Sequence, residues 1–222
     1  MIQLAALTIA DDPATWGRLG FSTDAGATTV GTTVHQFVGT DSGAKGIVGW
    51  TLSGDIDPGI TQIEGLPTTV TTGQATSAAT VHPNGVLTID HLVVMTPDVE
   101  RTVAVLEGLG LPCRRRRQGE AYGKPMSQAF FWLGNPDGAD AEKVVLEVVG
   151  SPEPDPAQAD TPAKFFGIAY TVADLEATGQ FFGDLMKPPF DAVQPGRRIT
   201  TISSKAGANV AIALMSAHVA PS

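Results

Sequence analysis

The chain has 222 residues, with 14 Lys and Arg against 23 Asp and Glu, for a formal charge of −9. That length can bury one large core or two small ones, and the acidic balance argues against nucleic acid and anionic membrane as partners, since both reward excess Lys and Arg. The one cysteine, Cys113, leaves no intrachain disulfide and no cysteine-based zinc site, so a cytoplasmic protein is the simplest reading.

The opening MIQLAALTIADDP is a short apolar run with no basic residue before it and acids directly after. It reads as a strand and not a signal peptide. No apolar stretch approaches the roughly 20 residues that span a bilayer. Asp12-Pro13 opens a short helix whose Trp16 and Leu19 face one way before Gly20. Three strand candidates follow, FSTDAGATTV, TTVHQFVG and KGIVGWTLSG, separated by turns that contain glycine. Residues 1–60 therefore suggest a worn βαβββ unit, against the plainer reading of a generic β-rich piece. Residues 61–85 are rich in Thr, Gly and Ala without a period, which predicts a linker or a draped loop. The abundance of Gly, Pro and Thr with few Lys suits strands and a high-GC genome.

The rest of the chain holds two near-copies, LTIDHLVVMTPDVERTVAVLEGLGL and AKFFGIAYTVADLEATGQFFGDLMK. Each predicts an apolar strand, a turn carrying an acid, and an amphipathic helix. In the first, Thr96-Pro97-Asp98 supplies a capping hydroxyl, a proline at the first helical position and an acid. Val99, Val103, Leu106 and Leu109 recur at helical spacing, and Gly110 ends the helix. In the second, Leu175, Phe181, Phe182 and Leu185 follow Asp174. Strands are predicted over 113–118, 127–133 and 143–149, and again over 190–194, 197–203 and 209–215. Both copies, 86–150 and 163–217, are thus βαβββ, joined by the Pro/Asp/Ala connector SPEPDPAQADTPA. An internal repeat of this size means one supersecondary unit used twice, each half covering the other's apolar face. The fold class is α+β, with 86–217 as one two-module domain.

The copies differ in chemistry. The first carries His91 in its opening strand and Glu147 in its closing strand, where the second carries Gly167 and Ala213. Strict alternation groups Ile89, His91 and Val93 on one face, and Val145, Glu147 and Val149 on another. His91 and Glu147 then project together into the concave side. The matching positions of the last copy, Gly167, Ala169, Thr171, Ala211 and Ala213, are all small and predict room for a ligand.

IDHLVV opening one βαβββ module and VLEVVG closing it resemble the vicinal oxygen chelate superfamily of glyoxalases, extradiol dioxygenases, epimerases and bleomycin- and fosfomycin-resistance proteins. The resemblance implies paired modules curled into an incomplete barrel around a divalent metal such as Zn, Fe, Mn or Ni. Each module would supply a His or Gln from its first strand and a Glu from its last. His91 and Glu147 match those ligand positions; Gly167 and Ala213 do not.

Three readings of the pair stand side by side: a polar relic of a metal site, a metal site completed from elsewhere, or a metal-free acid/base pair whose carboxylate orients the imidazole. His35 is the candidate third ligand, with His82 and His218 behind it. In Arg114-Arg115-Arg116-Arg117, alternation sends Arg114 and Arg116 to one face and Arg115 and Arg117 to the other. They either guard an edge strand or hold a substrate carboxylate or phosphate. Arg114, Arg116, Arg198 and the wall residue Trp132 are the expected substrate contacts, and at least one ring of Phe130, Phe131 and Trp132 must point inward. Two functions follow: a glyoxalase-like lyase, isomerase or dioxygenase working at His91 and Glu147 on a small oxygenated molecule, or a non-catalytic binding protein of the bleomycin-resistance kind. Three modules leave one apolar face over, which either a twofold homodimer or the 61–85 segment of a monomer would cover.

Overall fold

A computed structural model describes residues 1–72, 80–121, 123–135, 137–139 and 143–217. The first sheet contains β1 (Ile2–Ala10), β2 (Ala27–Val30), β3 (Thr33–Phe37), β4 (Gly46–Gly54), β5 (Gln62–Ile63) and β6 (Leu66–Thr71), with α1 (Pro13–Arg18) after β1. Asp12 caps α1 by accepting from the Ala14 amide, and Pro13 stands where no amide is needed. The strand order is β2-β3-β1-β4-β6-β5.

This sheet corrects the expectation of a single worn βαβββ unit over 1–60. The closing strand of such a unit runs parallel to its opener, yet β4 runs antiparallel to β1, and it is β3 that is parallel to β1. β4 opens a second shortened unit, in which β6 is parallel to β4 and β5 antiparallel to β6. The expected linker is therefore strand in its first part, and residues 73–79 lie outside the described residues. Two abbreviated units meet back to back along β1 and β4.

The larger sheet repeats that plan at full size. It holds β7 (Val86–Met95), α2 (Val99–Gly108), β8 (Arg115–Ala121), β9 (Lys124–Gly134) and β10 (Lys143–Gly150), then β11 (Lys164–Val172), α3 (Leu175–Phe182), β12 (Phe190–Asp191), β13 (Arg198–Thr201) and β14 (Ala211–Ser216). The order is β12-β13-β14-β11-β7-β10-β9-β8, a curled half-barrel. In each copy the closer is parallel to the opener, β10 to β7 and β14 to β11, and the two openers pair antiparallel. Both expected βαβββ units are present. Asp98, rather than Thr96, is the N-cap of α2, accepting from the Arg101 amide, while the Thr96 hydroxyl accepts from the Asp98 amide one step earlier. Asp174 caps α3 in the same way. Gly110 takes a φ of 84°, a left-handed conformation that lets the chain leave α2 without a Cβ clash.

The two sheets share one core. β4 lies against β11, β1 against β9 and β2 against β7, while α2 packs on β9 and β10 and α3 on β14. Trp16, Trp50, Phe131 and Tyr170 are fully buried there, and each such ring removes well over 100 Å² from water. Trp50 meets Phe165 edge-on at 5.4 Å between centroids, and Phe21 meets Tyr170 at 5.3 Å. The first sheet's apolar face is thus covered within the chain, which removes the argument for a dimer from an uncovered face. It also leaves the opposite face of the eight-stranded sheet as the open, concave one.

His35 sits in the seam between the sheets, with its Nε2 2.8 Å from the Tyr170 hydroxyl. Burial, assisted by His82, holds its pKa down to about 3. The unfolded chain therefore binds a proton between about pH 6.5 and 3 that the folded chain refuses, and stability falls as pH drops through that window. One proton corresponds to about 1.4 kcal/mol per pH unit. In His35→Gln, urea unfolding at pH 7, 6, 5 and 4 is expected to show a slope shallower by about that amount. The smaller contribution of His82, also lowered by burial, remains; equal slopes would contradict the assignment.

Candidate active site on the concave face

Local backbone geometry sets the site. His91 pairs with Ala169 and Ile89 with Tyr170, so Asp90 is an extra residue in the β7–β11 ladder. A bulge of this kind resets the alternation of a strand. Asp90 and His91 consequently both face the concave side and line its cavity, while Ile89 turns into the core with Leu92, at 2% and 0% exposure. This corrects the expected grouping of Ile89 with His91.

From that bulge a row of polar side chains crosses the sheet, one strand at a time. Asp90 Oδ1 accepts from His91 Nδ1 at 2.8 Å, and Asp90 Oδ2 meets Arg197 Nη2 at 2.6 Å. The Thr171 hydroxyl adds a bond to Oδ2 at 3.2 Å, and Arg197 Nε donates to the Ser216 carbonyl at 2.9 Å. On the other side, His91 Nε2 stands 3.6 Å from Glu147 Oε2. Gln128 Nε2 donates to Glu147 Oε1, and Arg117 donates to Gln128 Oε1 at 3.2 Å.

The electrostatics fix the imidazole. Burial by itself would raise the pKa of Asp90, but the hydrogen bond and charge of His91, together with Arg197, bring it down to about 2. An ionised Asp90 accepts only, so the Nδ1 of His91 carries the proton, and in the neutral ring Nε2 presents a lone pair. At 3.6 Å the gap from Nε2 to Glu147 is too long for a hydrogen bond. Two acceptors therefore converge on a point between them, where a proton, a donor group of a substrate or a cation would be held.

The cavity over this row measures about 410 Å³, within the range of small-molecule sites. Phe130 and Trp132 on β9 form its wall, and Lys143 stacks over the Trp132 ring at 5.8 Å. Phe131 faces the core instead, at 1% exposure. Phe190 of β12 and Val193, from the segment that links β12 to β13, line the cavity from the other end of the sheet. Among the expected contacts, Arg114 and Trp132 line the cavity with His91 and Glu147. Arg116 and Arg198 do not. They pair with Glu100 and Glu176 of α2 and α3 on the helical side. Arg115 and Arg117 line the cavity in place of Arg116, and the buried Arg197 reaches inward instead of Arg198. His35 is in the seam behind the sheet, His82 is held by the Ser22 amide and the Thr29 carbonyl, and His218 lies outside the described residues.

The second module is closed where the first carries His91. Gly167 pairs with Ala211 as His91 pairs with Val145, so the two openers correspond. A Cβ at Gly167 would stand 2.5 Å from the Ala211 carbonyl oxygen and 2.9 Å from its Cβ. The expected room at this position is absent, because the strands approach too closely for any side chain. Among the described residues no group of three or more His, Cys, Asp or Glu is placed to hold a metal. His91 and Glu147 make two donors, and the neighbouring Gln128 amide is taken up by Glu147 and Arg117, whereas a catalytic zinc asks for three protein ligands plus water and the facial iron triad also for three. The donor set does not fit the metal that the family resemblance implies.

The Asp90–Arg197 pair has side chains only 8% and 2% exposed. In Asp90→Asn the guanidinium stays buried without its counter-charge, and urea denaturation is expected to show a loss of about 3–5 kcal/mol. The Asp90→Asn/Arg197→Gln double variant should lose less than the sum of the singles; strict additivity would mean the two side chains do not depend on each other.

No family model and no curated protein matches the sequence. Among solved structures, a mutant of 4-hydroxymandelate synthase from Streptomyces coelicolor is similar with a TM-score of 0.64 at 11% identity, covering 99% of this chain and 94% of that one. Methylmalonyl-CoA epimerase of Streptomyces coelicolor, in complex with 2-nitronate-propionyl-CoA, matches 62% of this chain and 99% of its own, at 20% identity and a TM-score of 0.47. The epimerase of Mycobacterium tuberculosis matches 63% and 94%, at 16% identity and a TM-score of 0.44. No helix among the described residues is long and apolar enough to cross a membrane. Paired βαβββ modules in a half-barrel, with a fold match along nearly the whole chain, give this protein the fold of the vicinal oxygen chelate superfamily.

Proposed function

We propose that the chain is a small-molecule enzyme that moves a proton on an oxygenated organic substrate, the chemistry of an isomerase or lyase. His91 is the base and Glu147 its partner. The observation that carries this reading is the Asp90–His91 hydrogen bond, which supports an imidazole with Nε2 turned toward the Glu147 carboxylate inside the cavity. Nε2 takes a proton from a carbon beside a carbonyl, and the electron pair of the C–H bond moves onto the carbonyl oxygen. The imidazolium so formed lies between two carboxylates, which lowers the cost of forming it. Return of the proton to carbon gives an isomer, and loss of a β-substituent gives an unsaturated product. A dioxygenase reading asks for three metal donors where the described residues bring together two.

The second reading, a binding protein without chemistry, draws support from the aromatic wall of Phe130 and Trp132. Exchange of carbon-bound hydrogen in D2O, followed by NMR over a panel of 2-oxo acids, hydroxyketones and aryl ketones, separates the two. Proton transfer predicts exchange that falls by about 10²–10⁴ in His91→Ala and by a smaller factor in Glu147→Gln, with both variants folded. Ligands that bind the wild type without exchange would favour the binding protein. Exchange that disappears with chelator and returns with Zn, Fe, Mn or Ni would overturn the metal-free reading.

A further inference from the structure

We propose that the substrate carries an oxyanion on an apolar, planar body, with the oxyanion held by Arg115 and Arg117 at the end of the molecule remote from the reacting carbon. This rests on the reading of the cavity as the site of proton transfer and adds the class of molecule it takes.

Of the four arginines, Arg114, Arg115 and Arg117 line the cavity, Arg114 from the residue just before β8. Arg116 is accounted for on the outer side by Glu100. Arg115 and Arg117 pair with Phe130 and Gln128 across the β8–β9 ladder, and therefore stand on the concave face. There Arg117 meets only the neutral Gln128 side chain, and Arg115 has no acid partner among the described residues. Of the acids that line the cavity, Asp90 is engaged by His91 and Arg197 and Glu147 by Gln128, while Asp191 stands on β12, at the opposite edge of the sheet from β8. In a chain of net charge −9 these guanidinium groups are a local exception. Guarding an edge strand explains charge on β8, but not charge turned into an aromatic-walled cavity, which forked donors suit when a carboxylate or phosphate enters.

Distance places the oxyanion. β8 and β7 are separated by β9 and β10, so three strand spacings of about 4.8 Å put the arginine row roughly 14 Å from His91 on a flat sheet, and less on a curled one. The anion and the reacting carbon thus belong to opposite ends of the substrate. The stretch between is lined by Phe130 and Trp132, with Phe190 and Val193 exposed at 61% and 59% beside it. Such walls suit an aromatic or otherwise flat apolar spacer.

Three probes test this by calorimetry: 4-acetylbenzoate, 4-acetylphenyl phosphate and the neutral 4-acetylbenzamide. At least one anion is expected to bind ten-fold or more tightly than the amide, with the preference weakening between 20 and 300 mM NaCl, and the stronger of the two tells carboxylate from phosphate. Arg115→Gln/Arg117→Gln should abolish the preference, while Arg116→Gln, on the outer face, keeps it. His91→Ala should keep it as well, because binding of the anion does not need the base. Equal affinity for charged and neutral probes, a preference that survives in Arg115→Gln/Arg117→Gln, or no binding of either anion at 10 mM would overturn the proposal. Anion binding without hydrogen exchange would leave this subsite standing and sink only the proton-transfer reading.

Discussion

The buried contact between Asp90 and Arg197 is the constraint on which the site depends. A bulge in β7 turns Asp90 to the concave face, where the carboxylate is 8% exposed and cannot stay ionised alone. Arg197 supplies the charge, and it comes from the start of the last β-hairpin, beyond β11 and β14. One ion pair thereby ties the two modules together across their seam and decides which nitrogen of His91 carries the proton. Buried pairs of this kind add little net stability compared with apolar replacements. Their effect here is geometric, since removing either partner frees the imidazole to rotate or to change tautomer.

The two modules have divided their labour unevenly. In the first, the opener and closer carry His91 and Glu147 at adjoining register positions. In the second, the same positions are Gly167 and Ala213, and the β11 backbone lies so near Ala211 that no ligand side chain fits at 167. What the second module gives the site is Arg197, whose role is to hold and not to ligate. The result is a row that alternates in sign along much of its length, Arg117, Gln128, Glu147, His91, Asp90 and Arg197, with its chemistry at the centre and an open cationic group at one end. On the proposed reading, an array of this form serves a proton and an anion more readily than a metal cage.

Much of the fold was legible in the sequence because its signals are local. The two copies at 86–150 and 163–217 share strand–turn–helix periodicity, and Asp98 and Asp174 stand where a helix must begin. The pairing partner of β4 was not legible, because parallel and antiparallel neighbours impose the same apolar pattern on a buried strand. In the site, His91 and Glu147 could be found from alternation. Asp90 could not, since one bulged residue reverses the parity of everything before it. The same limit hid the choice between Arg197 and Arg198 and between the two faces of Arg114–Arg117. Alternation says that neighbours differ, and only the three-dimensional cover of helices says which face is outside.

That cover also explains why the polar row lies where it does. The eight-stranded sheet has two faces, and α2, α3 and the entire first sheet compete for one of them. Filling that face with Trp16, Trp50, Phe131 and Tyr170 leaves it dry, and His35, trapped there, is held neutral over the physiological range. Among the described residues the concave face receives only the short 190–194 segment, so its polar row keeps contact with water and with whatever enters from it. Had the first sheet packed on the concave side, Glu147 and the arginines of β8 would each have needed a buried partner, and the sequence around them offers neutral Gln128 and aromatic rings. The placement of the abbreviated units on the convex face is therefore what allows the charged row to exist, and on the proposed reading it is this open side of the sheet, where His91 is held, that substrate enters.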